Sequence, residues 1–176
     1  TGDQQGVKYQ TEQQTLSTGK DSIAIGAAAK AEGDYTLAVG AHAKANGSNS
    51  TAMGYDSSAS GKDSFAAGRS ANAEGQDAFA LGANAHGKGK KSFAMGTESQ
   101  AIGENALALG SVSVAKEKNS IAVGVGAQAN FEDSVALGSG AIVSHDNSIS
   151  IGTKSTTNDY DATAFLYEDG VAGAIA

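Results

Sequence analysis

The chain has 176 residues, including 24 Gly but no Pro, Cys or Trp, and only 6% of the residues are aromatic. This length allows one ordinary domain, but so few large side chains leave little to fill a conventional core. The absence of Cys excludes disulfides and thiolate metal sites. A net charge of −7 argues against nucleic acid or an anionic membrane as the main partner. We expect no cofactor and no bound metal.

Residues 1–19 are predicted to form a degenerate first coil, an N-terminal cap for a repeat that fills most of the chain. Thr15, Ser17 and Gly19 match positions of that repeat, whereas the polar Tyr9 and Thr11 replace its apolar pair. A polar first coil suits the end of a solenoid, because an open sheet edge there would invite aggregation.

Residues 20–155 contain the repeat itself, which is marked by a glycine every 14 residues without insertion or deletion. A fixed period of this kind predicts stacked copies of one small unit. We number positions in the unit from this glycine, position 0, and expect it to mark a turn with positive φ. The ten anchor glycines are Gly26, Gly40, Gly54, Gly68, Gly82, Gly96, Gly110, Gly124, Gly138 and Gly152.

Large and small residues alternate before the glycine, which predicts a β-strand. Positions −3 and −1 are mainly bulky and apolar, as in Phe79 and Leu81, with Thr51 and Ala67 as the weakest members. Position −2 is Ala in nine copies, and position −4 is always Ser, Thr or Ala. This period of two gives the strand one bulky face and one small face.

A second short strand and a second turn complete the unit. Positions +3 and +5 are mostly Ala or Ser, which predicts a strand with a small inward face. Position −5 is Asp or Asn in eight copies and position +7 is Gly in six, so turn chemistry is expected there. One acid per coil is poor ligand density for calcium. The repeat thus predicts parallel sheets in a rod roughly 48 Å long, at about 4.8 Å per coil.

Residues 156–176 leave the repeat and are predicted to form a C-terminal cap or neck-like junction. The segment 162–166 reads as a strand, but Leu166 stands where the next glycine is expected.

The stripe of Ala and Ser residues predicts that the chain assembles with further copies of itself. Such a stripe along a rod lets another backbone approach closely, so we expect rods side by side about a cyclic axis. We place the bulky residues of positions −3 and −1 inside the coil and the Ala and Ser residues at the axis.

Eight segments resemble the core motif of YadA-like head domains, the heads of trimeric autotransporter adhesins of Gram-negative bacteria. They are SIAIG (22–26), SFAAG (64–68), AFALG (78–82), SFAMG (92–96), ALALG (106–110), SIAVG (120–124), SVALG (134–138) and SISIG (148–152). The resemblance implies an all-β, left-handed parallel β-roll solenoid assembled as a homotrimer. It also implies a bacterial surface location, with a stalk and an outer-membrane anchor outside this chain.

The repeat departs from its own pattern at position +7. The glycine there is replaced by Glu117, Phe131, His145 and Asp159 in the later copies. Specificity is expected where copies differ, above all at this turn.

The resemblance implies adhesion to host matrix, such as collagen, fibronectin or laminin, or to a receptor such as a carcinoembryonic-antigen-related molecule. Candidate contacts are Tyr35, Tyr55 and Phe131, aromatic residues at turn positions, because exposed aromatics are favoured hot spots. The basic stretch His86, Lys88, Lys90 and Lys91 is interpreted as a solvated turn, although it could meet an acidic partner.

Three other functions remain as alternatives. The alternative closest to adhesion is a bacterial or phage fibre spacer without a ligand, which a binding measurement separates from an adhesin. Catalysis is disfavoured because the three histidines, His42, His86 and His145, fall at different repeat positions and form no triad or metal ladder. Ice binding would need a regular Thr ladder, which the scattered Thr residues do not provide.

Overall fold

The chain winds into ten stacked coils in the computed structural model, which describes residues 14–157, 163–166 and 172–175. Every regular element in these ranges is a β-strand. The all-β parallel solenoid predicted from the 14-residue period is therefore confirmed. Most of the proposed N-terminal cap (1–19) and C-terminal cap (156–176) lies outside the described residues, so both assignments stay predictions.

Two sheets run the length of the rod and enclose its interior. Sheet A contains the short strands that follow the glycine turn: β1 (Leu16–Ser17), β3 (Lys30–Ala31), β5 (Lys44–Ala45), β7 (Ser58–Ala59), β9 (Asn72–Ala73), β11 (His86–Gly87), β13 (Gln100–Ala101), β15 (Val114–Ala115), β17 (Gln128–Ala129) and β19 (Ile142–Val143). Sheet B contains the strands that precede the glycine: β2 (Ile23–Ile25), β4 (Leu37–Val39), β6 (Thr51–Met53), β8 (Phe65–Ala67), β10 (Phe79–Leu81), β12 (Phe93–Met95), β14 (Leu107–Leu109), β16 (Ile121–Val123), β18 (Val135–Leu137) and β20 (Ile149–Ile151), followed by β21 (Thr163–Leu166) and β22 (Ala172–Ile175).

Strand pairing repeats the sequence period without a slip. Each strand up to β18 pairs in parallel with the strand one coil later, so Phe79 pairs with Phe93 and His86 with Gln100. Strand β21 keeps the same offset, with Thr163 beside Ile149, and β22 then pairs with β21 in the antiparallel sense. Every repeat position therefore forms a straight column of equivalent residues along the rod.

The interior of each coil holds only small side chains, which makes the predicted orientation wrong. Positions −4, −2, +3 and +5 point inward, and their Ala residues from Ala29 to Ala141 are almost completely buried, whereas Ala24 in the first coil is only partly buried. The largest fully buried side chains are Val143 and Thr157. The bulky residues of positions −3 and −1 lie outside, with Ile25 57% exposed.

The physical reason is the short distance between the two sheets. Ser150 Oγ and Ser155 Oγ meet across the interior at 2.6 Å, and a Cβ added to Gly87 would lie 2.8 Å from the carbonyl oxygen of Phe79. No Leu or Phe fits in a layer this thin. The alternation of large and small residues predicts which residues share a face, but the spacing of the sheets decides which face is inside.

The backbone has a period of seven that the sequence hides. A residue with φ between 52 and 67° recurs every seven positions from Asp21 to Lys154, at positions −5 and +2 of each coil. Each coil is therefore two seven-residue halves of similar backbone, a glycine-type turn followed by a strand with alternating small and large side chains. Asp and Asn at position −5 fit this left-handed conformation, which explains their frequency there.

Candidate functional surfaces

The surface of the rod consists of two faces and two edges, which are named here by their repeat positions. The apolar face is formed by positions −3 and −1 on sheet B, and the polar face by positions +4 and +6 on sheet A. The glycine-turn edge comprises positions 0 to +2, and the Asx-turn edge comprises positions +7 to −5. In the part of the chain that the structure describes, no group of three His, Cys, Asp or Glu residues could hold a metal ion. No helix among those residues is long and apolar enough to cross a membrane.

The apolar face is a continuous strip along all ten coils. Its side chains are half-buried to exposed, and Ile25 is the most exposed of them at 57%. Soluble monomers rarely expose contiguous apolar patches of more than a few hundred Å². At roughly 45 Å long and about 10 Å wide, this strip has the dimensions of an interaction surface.

A stack of three aromatic rings lies in the middle of the apolar face. The rings of Phe65 and Phe79 are 4.9 Å apart with planes 12° from parallel, and those of Phe79 and Phe93 are 4.5 Å apart with planes 2° from parallel. The stack follows from the register, because position −3 is Phe in three consecutive coils. The three rings form one aromatic ridge that the aliphatic coils on either side lack.

The polar face carries mainly charged, amide and hydroxyl side chains in columns, with Ile102, Val114 and Ile142 as apolar exceptions. Lys30 lies beside Lys44 in the register, and His86 Nε2 lies 3.0 Å from Glu74 Oε1. Asn72 Nδ2 donates to the same carboxylate at 2.8 Å. Hydrogen-bonded side chains of this kind give a flat, water-compatible surface.

The basic stretch wraps around the rod and does not form a single patch. His86, at half exposure, and the exposed Lys88 lie on the polar face, and Lys90 is exposed on the Asx-turn edge. Lys91 occupies the left-handed position of the Asx-turn edge, with φ 56°. The side chains are spread over a face and an edge, as in a solvated turn.

The Asx-turn edge carries a ladder of side-chain hydrogen bonds between coils. Asn49 Nδ2 donates to Asp63 Oδ1 at 2.8 Å, and Asn119 Nδ2 donates to Asp133 Oδ1 at 2.7 Å. Asn105 Nδ2 donates to Asn119 Oδ1 at 3.1 Å and extends the second run. These bonds fix the edge and give the Asx residues a structural role.

Tyr35 interrupts this ladder near the N-terminal end of the rod. It occupies position −5 with φ 58°, a conformation that is uncommon for a bulky residue, and it is 53% exposed. Lys20 Nζ lies 5.5 Å from the centre of its ring. An aromatic ring is thus held outward by the backbone at a position where most copies have Asp or Asn.

Phe131 lies on the same edge, close to the other end of the rod. It is 37% exposed, and its ring stacks on that of His145 in the next coil with centres 6.2 Å apart. Both residues replace the glycine of position +7. About seven coils, or roughly 33 Å, separate Phe131 from Tyr35 along the rod.

Tyr55 lies on the glycine-turn edge, away from the other two candidates. It is 57% exposed, and the ring of His42 meets it edge-on with centres 5.8 Å apart. The three aromatic candidates therefore do not form one site. Each is a separate exposed aromatic, and two of them are paired with a histidine from an adjacent coil.

Sequence reasoning missed these histidine pairings and an apolar pair on the glycine-turn edge. Val112 and Val125 are 50% and 59% exposed and lie in adjacent coils. The 14-residue spacing could have placed His145 beside Phe131, because the two residues share a column. The contact of His42 with Tyr55 joins different columns, and no periodic signal marks it.

Comparison with known proteins agrees with this geometry. The YadA head domain repeat matches residues 17–43, 31–57, 45–71, 59–85, 88–113, 115–141 and 146–165. The crystal structure of the collagen-binding domain of the Yersinia adhesin YadA is 30% identical in sequence, with a TM-score of 0.56 over 80% of this chain and 70% of that one. The curated proteins give no match.

The chain belongs to the family of YadA head domains. The resemblance inferred from the sequence motifs is therefore confirmed. Heads of this family are adhesin domains exposed on outer-membrane autotransporters, and the family is not one of enzymes.

Proposed function

We propose that three copies of this chain form the head of a surface adhesin that binds an extended host matrix protein. The observation that carries the proposal is the apolar face, because the large aliphatic and phenylalanine side chains of sheet B lie outside the coil. A lone rod would leave this strip in water. Three rods in a closed ring, each a left-handed roll, would bury it at their common axis.

The assembly is tested by mass. Sedimentation of the purified chain should give a trimer of about 52 kDa, three times 17.4 kDa. Replacing Leu81 and Leu109 by Glu would place two charges in each copy at the buried axis, so that variant should sediment as a monomer. The same two changes at Gln100 and Gln128 of the polar face are the control and should leave the trimer intact. A monomeric native chain at micromolar concentration would contradict the proposed assembly.

Collagen is the favoured ligand among those that the family suggests. The structural relative is described as a collagen-binding domain, and a straight rod with identical columns suits an extended, repetitive partner. In the proposed trimer, the polar face stays in water and repeats every 4.8 Å or so along the rod. The edges with Tyr35, Tyr55 and Phe131 border it.

Surface plasmon resonance on the trimer separates the possible ligands. Triple-helical collagen, heat-denatured collagen, fibronectin, laminin and a carcinoembryonic-antigen-related ectodomain are immobilised in parallel. We expect binding to triple-helical collagen and loss of that binding after denaturation. Binding to another of these surfaces alone would replace collagen as the ligand. A trimer that binds none of them, and no host cells, would show that this head is not adhesive by itself.

A further inference from the structure

The apolar face is not uniform. In two coils one of the two outward residues is small, and the other outward residue of the same coil is large. Where position −3 is small, as at Thr51, position −1 of the same coil is the large Met53. Where position −1 is small, as at Ala67, position −3 is the large Phe65. In the other coils both positions carry Val, Leu, Ile, Met or Phe.

The Phe stack adds a second marker at the same place. It begins in the coil of Ala67 and ends at Phe93, and its rings are nearly parallel. Both markers thus fall in coils three to six, counted from Gly26. The rest of the face repeats similar aliphatic side chains in every coil.

A face built from near-identical coils has a register problem. Two such rods can slide past each other by one coil, about 4.8 Å, and lose only the contacts at their ends. Register is weakly specified wherever successive positions are equivalent. Some feature of the face has to distinguish the coils if the copies are to end level.

We infer that Thr51, Met53, Phe65 and Ala67, with the Phe stack, set the axial register of the copies. The inference rests on the proposed trimer. In a closed ring each interface joins two different edges, so the −3 column of one copy adjoins the −1 column of the next. With the copies level, Phe65 lies against the small Ala67 of its neighbour, and Thr51 lies against the large Met53.

Every slipped ring contains an unfavourable contact. The three offsets around a closed ring must sum to zero, so a slip forward at one interface requires a slip backward at another. One direction sets Phe65 against Met53, a Phe–Met contact that the level trimer also contains at Phe93 and Met95. The other direction sets Thr51 against Ala67, which leaves a void. A ring with a one-coil slip forward at one interface and backward at another contains this void, and the level trimer avoids it.

Single-cysteine cross-linking measures the register, because the native chain has no Cys. One tagged copy carries Leu107→Cys and is co-expressed with a second copy carrying either Leu109→Cys, in the same coil, or Val123→Cys, one coil further along. A disulfide needs Cβ atoms about 3.5–4.5 Å apart, so a shift of one coil is resolved. We expect the same-coil pair to cross-link about tenfold more than the offset pair, since one void at the interface suffices for that ratio.

A variant without the markers, called the marker-free variant, keeps the face apolar. It carries Thr51→Leu, Phe65→Leu, Ala67→Leu, Phe79→Leu and Phe93→Leu. The yields of the two cysteine pairs should then become similar while the trimer mass is kept. A milder variant, Phe65→Leu with Ala67→Leu, serves if the fivefold one does not assemble and should lower the ratio by a smaller factor.

A matched control changes five outward residues away from the markers. Ile25→Leu, Val39→Leu, Ile121→Leu, Val135→Leu and Ile149→Leu should leave the native ratio unchanged. A native trimer without a same-coil preference in cross-linking, or a marker-free trimer that keeps this preference, would overturn the inference. The proposed trimeric assembly would remain supported in either case. A monomeric native chain without cross-links would instead overturn the proposed assembly.

Discussion

At the anchor glycines, backbone conformation and coil spacing act together. Their φ lies between 116 and 137°, and a Cβ on any of them from Gly26 to Gly138 would lie 2.4–2.6 Å from the carbonyl oxygen of the next anchor glycine. L-residues rarely adopt this φ, and the stacked coil leaves no room for a side chain. The sequence predicted the positive φ, but the contact between coils became apparent only in three dimensions.

Gly82→Val should therefore destabilise the rod strongly. The valine would have φ near 136° and a Cβ 2.5 Å from the oxygen of Gly96. We expect a loss of about 3 kcal/mol in the free energy of unfolding, measured by chemical denaturation. Ala83→Val, at the adjacent position where a later coil already has Val125, is the control and should have little effect. An unchanged denaturation midpoint for Gly82→Val would show that this turn does not need glycine.

Val112 offers the opposite test at a left-handed position. A β-branched residue with φ 57° is strained, and its side chain is half exposed. Val112→Asn should raise stability by about 1 kcal/mol, because Asn tolerates this conformation. Val125→Asn changes an equally exposed valine outside the left-handed positions and should bring no gain. Equal melting temperatures for both variants would contradict a strained Val112.

The strand element is defined by what its inward face can hold. Two small residues from each side of the coil, mostly alanine or serine, fill its interior. Serine hydroxyl groups there donate hydrogen bonds to turn carbonyls, as Ser113 Oγ does to Gly110 O at 2.8 Å. The period of two, the two strands per coil and the two turns could all be read from the sequence. Which face of the strand points into the coil could not be read from the sequence, because Phe79 and Ala80 give the same alternation whichever of them faces inward. Large residues fill most protein cores, and that general tendency led to the wrong orientation here.

Ala108→Leu tests the thin interior directly. Ala108 is completely buried between the sheets, so a leucine would overpack its coil and cost about 3 kcal/mol. Val123→Leu, one coil later and pointing outward, is the control and should change the melting temperature little. Thermal unfolding followed by circular dichroism compares the two. Equal tolerance of both leucines would mean that the interior can expand.

The seven-residue period of the backbone could not be read from the sequence, because the residues at its two left-handed positions differ. Position −5 is dominated by Asp and Asn, but position +2 includes Ala28, His42, Glu98 and Val112 at the same φ. Stacking in the solenoid imposes the conformation on whatever residue is present. Because so many residue types are forced into it, composition at position +2 carries no signal.

At the scale of the whole molecule, the columns divide the rod into structure and recognition. The inward-facing columns and the anchor-glycine column vary little, whereas Tyr35, Tyr55 and Phe131 stand out in turn columns whose residues differ between copies. The sequence identified these residues as exceptions. It could not show that they lie on two different edges, because that depends on how each coil is folded.

Removing the aromatic rings one at a time tests their proposed role in binding. Tyr35→Ala, Tyr55→Ala and Phe131→Ala should each be measured as trimers on triple-helical collagen by surface plasmon resonance. A ring that contacts the ligand should weaken binding by about tenfold or more, as hot-spot aromatics do. Phe79→Leu alters a ring on the apolar face and is the control. Three variants with native affinity would move the binding site to the polar face.

The similarity of the two halves of a coil has a consequence for where assembly stops. Both halves present outward side chains from the same kind of backbone, yet one half is apolar and the other carries mainly Lys, Glu, Asn, Gln, Ser and His. If both halves were apolar, a closed ring would still expose a sticky outer wall, and growth would continue into sheets or fibres. In the proposed trimer, the polar half would act as a boundary, so that a repetitive rod ends in a particle of defined size.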